Sequence, residues 1–280
     1  MVKRKFIPAV LICAAALSAF AGCGGGQGSF NGNLGDITVN PGDTCAIIKI
    51  KDYEGEITVR LFPEIAPKGV AKFVEAANNG YYNGKNFHRV LEGMLVQGGA
   101  LNTDGTDATI PLSEYFTIET SDKARNFYGA LCFAKDEKYG NYRQFYIVTA
   151  SEPVDIDEVA ADLKEQMDKY GDQLLKDKKK ELDGQYKSMT KIPDAVKERY
   201  KEKGGLFRLD GTVTVFGQVI DGFDILEQVQ SVEVVAGNKI DDLNESLGKF
   251  SRPLHDIFIE SVTIVEIPQP EETTSSKKKK

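Results

Sequence analysis

Arg89 and Gln97 share one short run, Phe87-His88-Arg89-Val90-Leu91-Glu92-Gly93-Met94-Leu95-Val96-Gln97-Gly98-Gly99, whose apolar residues read as a strand closed by a glycine pair. An arginine is permanently charged and presents several donors in a rigid fork. On an apolar surface it either snorkels to solvent or turns its guanidinium into a pocket, where it can draw electron density toward itself. The plainer reading is an edge-strand charge that keeps sheets from associating, beside a glutamine that serves a backbone group. His88 with Cys132 offers the raw material for a thiol nucleophile and base, yet Cys132 sits in an apolar strand without an acid-base pattern. The chain has two histidines and no C-x-x-C spacing, and Asp104, Asp107, Glu119 and Asp122 fit no cation loop. Those four carboxylates read as solvated loop charges, and no metal site is expected.

These residues need elements to hold them. Thr44 to Lys51 and Glu56 to Phe62 read as a hairpin around Glu54-Gly55. Pro67 opens a helix where its missing N–H costs nothing, with Val70, Phe73, Val74 and Ala77 as the inward stripe and Asn79-Gly80 as the stop. Asn83-Gly84 turns the chain into the run that carries Arg89. Tyr115 to Ile118, Ala130 to Phe133, Gln144 to Thr149, Val213 to Ile220 and Ile257 to Val265 read as further strands. Phe223, Ile225, Leu226 and Val229 suggest a short helix. Residues 151–205 differ in kind. Val159, Leu163, Met167, Tyr170 and Leu174 make the stripe of one amphipathic helix, weakened at Gly171, and a second helix starts near Pro193 and carries Val196 and Tyr200 to Gly204-Gly205.

The wording of four stretches is more specific than their chemistry. Ala66-Pro67-Lys68 to Phe73, Phe87-His88-Arg89 with Gly93 to Gly99, Gly129 to Ala134 with Gln144 to Ile147, and Leu209-Asp210-Gly211 to Val219 follow one another in the order found in the cyclophilin-type peptidyl-prolyl isomerases. Together they resemble that family over most of residues 44–265. The resemblance implies a mainly β domain, a closed eight-stranded antiparallel barrel capped by two helices, here with 151–205 as a helical insertion where the family has a short connection. It also implies the chemistry. Rotation about a peptide bond faces a barrier of about 18–20 kcal/mol, and X–Pro bonds interconvert slowly enough to limit folding. Lowering that barrier calls for a proline-sized pocket and a donor to the imide nitrogen, and for no nucleophile, metal or cofactor.

By resemblance Arg89 is that donor and Gln97 positions the substrate backbone. Met94, Leu95, Tyr146 and Leu209 would form the proline pocket with Phe87 beneath, and His88 would lie at the rim or orient the strand. Ala134 and Gln144 would border the groove for the residues before proline. Met94 and Tyr146 replace pocket phenylalanines, Lys135 a groove asparagine, and Tyr142-Arg143 a Gly-Ser pair. Arg208 stands where Trp or His is common, and Val213 replaces a pocket histidine. These departures imply modest turnover on short peptides. The partners expected are unfolded or Pro-containing polypeptides, met by a monomer. The competing function is a non-catalytic peptide-binding or chaperone module that uses the groove and the insertion, whose apolar stripe either packs on the barrel or captures substrate.

The ends of the chain carry a separate message. Lys3-Arg4-Lys5, the apolar stretch Phe6 to Phe20 and Ala21-Gly22-Cys23 read as a secretory signal, too short for a comfortable membrane span, and resemble a bacterial lipoprotein signal. Residues 1–22 would be removed, Cys23 would carry lipid, and 23–40, rich in Gly and Asn, would tether domain 41–266 to the outer side of the cell membrane. An ordinary signal peptide cut near Ala21 is the alternative. Cys45 and Cys132 remain, as a disulfide or as two separately buried thiols. Residues 267–280 read as a disordered polar tail. Of 280 residues, 41% are hydrophobic and 28% charged, enough for a sizeable core. The net charge of −7 leaves no domain-wide basic surface, so nucleic acid is not an expected partner.

Overall fold

The computed structural model describes residues 32–35, 37–107, 111–136, 140–235 and 251–268. Strands β1 (Thr44–Ile50), β2 (Ile57–Leu61), β3 (Asn86–Leu91), β4 (Leu95–Gly98), β5 (Ala130–Asp136), β6 (Gly140–Val148), β7 (Val215–Asp221) and β8 (Ile257–Glu266) close into one barrel in the order β1-β2-β7-β5-β6-β4-β3-β8. Every pairing is antiparallel. Closure removes the exposed edges that an open sheet of such apolar strands would present.

Period-two alternation sorts the strand residues into two clusters. Ile48, Val59, Val96, Leu131, Phe133, Phe145, Ile147 and Phe216 fill the interior. Two helices plug it. Helix α1 (Pro67–Asn78) contributes Val70, Phe73 and Ala77 to this interior cluster, with the Phe73 ring against Tyr82, Phe145 and Phe216. Helix α5 (Phe223–Gln230) contributes Ile225, Leu226 and Val229. Ala66 gives α1 no side-chain cap. Glu119, far along the chain, supplies it by accepting from the Lys68 and Gly69 amides at 3.2 and 2.8 Å. Glu119 is thus a capping group, where the sequence suggested a solvated loop charge.

The insertion holds three helices rather than two: α2 (Ile156–Tyr170), α3 (Lys176–Thr190) and α4 (Asp194–Lys203). Helix α3 escapes pattern reading because Met189 is its only buried residue and Lys-Glu and Lys-Asp pairs line its surface. The expected stripe of α2 is only partly inward. Ile156 and Ala160 are buried, while Tyr170 is 46% exposed and Gly171 begins a 3₁₀ turn. At its base the insertion packs on the barrel: Ile156, Met189, Val196 and Tyr200 form a third cluster with Phe127. Tyr200 lies 4.5 Å from the Phe127 ring, centroid to centroid. Gly205, at φ +129°, lets the chain leave α4 against the Asn126-Phe127 backbone, where a Cβ would fall 2.3 Å from the Asn126 carbonyl oxygen.

Two further expectations change. Residues 115–118 form no strand; Leu112–Glu114 is a 3₁₀ turn, followed by loop with an isolated β-bridge at Phe116. The stretch read as a tether is docked over part of its length: Asn33 is buried, its amide donating to the Arg125 carbonyl and Gln218 while its Oδ1 accepts from the Arg125 N–H. The signal segment and Cys23 lie outside the described residues, as does the tail beyond Pro268. Cys45 and Cys132 are two separate buried thiols.

Candidate active site

The run read as a single strand is a hairpin. Glu92-Gly93-Met94 turns between β3 and β4, with Gly93 at φ +66°, and the Gly93 amide donates to Gln230 of α5 at 3.1 Å. The Met94 carbonyl then accepts from the Thr149 amide at 2.9 Å, so the turn is fixed on both sides. Arg89 pairs with Gln97 across the hairpin, Gln97 with Tyr146 across β4–β6, and Tyr146 with Cys132 across β6–β5. One row of residues therefore crosses four strands.

A bulge decides which way Arg89 points. Phe87 opposes Gly98 and Arg89 opposes Gln97, so β3 spends an extra residue, His88, on one step of β4. Without it Phe87 and Arg89 would share a face. With it the Phe87 ring stays in the interior cluster, wholly buried against Phe145, and Arg89 emerges on the outer face. Phe87, expected beneath the pocket, lies in the barrel core and lines no surface itself. His88 is also buried, 7% exposed, beneath the loop at Gly105 rather than at a rim. Burial pulls its imidazole down to about 4, and its Nδ1 has no hydrogen-bond partner among the described residues.

On the outer face the polar groups form a relay. Arg89 Nη1 donates to Gln97 Oε1 at 3.1 Å, and Gln97 Nε2 to Gln144 Oε1 at 2.8 Å. Gln144 Nε2 donates to Asp107 Oδ2 at 2.7 Å and to the Gly105 carbonyl at 3.1 Å. The relay fixes both glutamine amides and leaves the guanidinium half-buried, with no ion-pair partner among the described residues and its Nε unpartnered. Desolvation lowers the Arg89 pKa, although an arginine stays charged at neutral pH. A desolvated positive fork without a counter-charge costs free energy, and such a cost is expected where function needs it.

Beside the relay lies a second apolar cluster, on the outside of the barrel. Leu95, Cys132, Tyr146, Val213 and Val215 are its buried members, with Met94, Ala134 and Leu209 packed against it half-exposed. The expected pocket residues Met94, Leu95, Tyr146 and Leu209 are thus brought together with Ala134, expected at the groove border, and Val213 joins them as an apolar wall. Arg208 and Lys135 are exposed. Arg143 stacks over Tyr81 at 4.6 Å and pairs with Glu114, away from Arg89.

Residue spacing gave no hint of the group beneath the floor. The Tyr146 hydroxyl donates to Asn126 Oδ1 at 3.2 Å, and the Cys132 thiol to the same oxygen at 3.3 Å. Asp210 Oδ1 accepts from the Asn126 backbone and side-chain amides at 2.9 and 3.0 Å. Burial raises the Asp210 carboxyl above its ordinary value, against the lowering effect of those donors. Asn126 lies 84 residues away from it in the chain, a pairing that no local pattern reveals.

Hydrolase chemistry does not fit. Burial pushes Cys45 up to about 11 and Cys132 higher still, so neither offers a thiolate at neutral pH. Cys132 bonds Asn126 rather than His88. Among the described residues no group of three His, Cys, Asp or Glu side chains could hold a metal ion. A cavity of about 980 Å³ does open elsewhere, over Cys45, Ile47, Thr58 and Ile220. Its rim cations Lys49, Arg199 and Lys203 are paired with Glu260 and Glu202, so it lacks the uncompensated charge found at Arg89.

Residues 45–264 match the family model for cyclophilin-type peptidyl-prolyl cis-trans isomerases. A Staphylococcus saprophyticus protein with a provisional peptidyl-prolyl cis-trans isomerase name is 36% identical over 213 residues, covering 76% of this chain and 88% of its own. A Staphylococcus aureus protein with the same provisional name is 35% identical over the same lengths. Among solved structures, the fold resembles a Cryptosporidium parvum cyclophilin-type isomerase crystallised with the dipeptide Ala-Pro, with TM-score 0.50 and 19% identity, over 79% of this chain and 99% of that one. The structure of the same protein without the dipeptide gives TM-score 0.51 at 19% identity, over 81% and 99%.

Proposed function

The chain belongs to the cyclophilin-type peptidyl-prolyl cis-trans isomerases, and we propose that Arg89 stabilises the twisted imide of an X–Pro bond held over the outer apolar cluster. The observation that carries this reading is a desolvated guanidinium with no carboxylate partner among the described residues, in the same cross-strand row as Tyr146 of the outer apolar cluster. As the C–N bond twists, resonance is lost and the imide nitrogen becomes a better acceptor. A donor already in place is then worth more in the transition state than in the planar ground state, and that difference lowers the barrier. Gln97, locked by Gln144, presents its amide to the substrate backbone, while Ala134 and Gln144 border the residues before proline. The proline ring rests against Met94, Leu95, Tyr146 and Leu209. No proton need move.

The substrates in this reading are exported polypeptides, and the enzyme acts as a monomer outside the cytoplasm, held to the membrane by lipid on Cys23. The support is the charged, apolar and small-residue order of residues 3–23. Exchange NMR on an Ala-Pro tetrapeptide with catalytic amounts of protein tests the activity. Cis–trans exchange cross-peaks should grow with enzyme concentration. A peptide that shifts or broadens on binding but exchanges at its uncatalysed rate would favour the peptide-binding module instead.

A further inference from the structure

We infer that Tyr200 of the insertion is a positioning residue for the pocket, acting through Asp210 and Asn126 on the Tyr146 ring. The inference rests on the X–Pro site proposed above and assigns the insertion a part in it. Tyr200 is wholly buried, and its hydroxyl donates to Asp210 Oδ1 at 2.8 Å. That oxygen also accepts both Asn126 N–H groups, and Arg125 Nη1 stands 3.5 Å from Asp210 Oδ2. Committed in this way, the Asn126 amide turns its Oδ1 toward Tyr146 and Cys132. The chain of bonds is continuous from helix α4 to the wall of the apolar cluster.

Its parts span residues 126 to 210 of the sequence, and one of them, Tyr200, belongs to the insertion. Tyr200 is held from its own side by the Phe127 ring, and its carbonyl accepts from the Val154 amide at 3.1 Å. The Leu206 amide donates to the Asn126 carbonyl at 2.7 Å, tying the exit of the insertion to the same asparagine. A phenol ring in an apolar wall can rock about its χ2 axis, whereas one anchored by its hydroxyl cannot without breaking a buried hydrogen bond. A hydroxyl is therefore useful on Tyr146 only if a fixed acceptor waits beneath it, and α4 supplies the outer end of that fixture.

The effect should fall on substrate binding rather than on the donor step, because Arg89 and Gln97 are oriented by a separate relay through Gln144. The test uses the full chain. Tyr200→Phe removes one hydroxyl and keeps the ring. We expect KM for an Ala-Pro tetrapeptide to rise at least threefold with kcat within twofold, and Tyr146→Phe to do the same. The double variant should be no worse than the weaker-binding single variant, since both cut one chain. Tyr186→Phe, a tyrosine of α3 outside the network, should leave both constants unchanged. Unchanged KM in Tyr200→Phe, or multiplicative effects in the double variant, would overturn the coupling while leaving the site reading intact. Failure of the wild-type protein to accelerate exchange at all would instead sink the site reading.

Discussion

Replacing Arg89 by alanine should remove most of the catalysis and none of the fold. Among the described residues the guanidinium makes one hydrogen bond, to Gln97, and keeps a buried Nε without a partner. Hydrogen bonds to charged groups contribute about 1.5–3 kcal/mol, and loss of a preorganised donor at an oxyanion costs about 2.7–4 kcal/mol. The imide nitrogen develops less charge than an oxyanion, which argues for the lower part of the joint range. The partial desolvation of Arg89 argues for the upper. The overlap, near 3 kcal/mol, corresponds to about a hundredfold loss in kcat/KM. Peptide affinity should change by less than about fivefold, because the apolar cluster binds the planar ground state. Arg89→Lys keeps a charge but loses the fork, and should recover only part of the rate. Since a desolvated charge is removed, the melting temperature should hold or rise. The measurements are protease-coupled isomerisation and thermal unfolding on the same preparations. A rate within threefold of wild type, in a variant that melts normally, would refute the proposed role of the arginine.

Gln144→Leu removes the anchor of the Gln97 amide, and kcat/KM should fall about five- to tenfold with Arg89 intact, read by the same assay. His88 is held neutral when folded, at about 4 against an ordinary 6.5, so the unfolded chain takes up the proton first as pH falls. That contribution is complete above pH 6.5 and is lost between 6.5 and 4, to a total of roughly 3 kcal/mol. Denaturant unfolding at pH 7 and pH 4 should therefore show a smaller pH-dependent loss for His88→Gln than for wild type, and equal losses would contradict it. Labelled palmitate should attach to the full chain in a bacterial host and not to Cys23→Ala; equal labelling would place any lipid elsewhere.

Most of the barrel was legible because its strands alternate and its helices carry turn-spaced apolar stripes between a proline start and a glycine stop. The four matching stretches named Arg89, Gln97, Gln144 and an apolar set as candidates, and the structure brings these side chains together. What was not legible depends on register and on distance along the chain. A one-residue bulge at His88 sends Phe87 inward and Arg89 outward, and nothing in Phe-His-Arg announces it. Glu119 caps a helix about fifty residues earlier, so its surroundings in sequence suggested only a loop. Helix α3 is polar on nearly every side, and the apolar periodicity that finds helices is absent there.

The location of the site follows from the filling of the barrel. Phe133 and Phe216 stack at 4.1 Å inside it, Phe73 and Phe145 meet edge to face, and α1 and α5 close it, so no substrate can enter. Chemistry must then use the outer face, where a second apolar cluster would otherwise be a site for unwanted association. The chain divides that face. The insertion packs on the barrel through Ile156, Met189, Val196 and Tyr200 against Phe127, while Met94, Ala134 and Leu209 stay half-exposed on the face that carries Arg89, which has no ion-pair partner among the described residues. An apolar patch left uncovered beside an unpaired cation stabilises neither the fold nor its solubility. The X–Pro unit of the proposed reading would answer both the patch and the cation, since it carries an apolar ring and an acceptor nitrogen within a single residue.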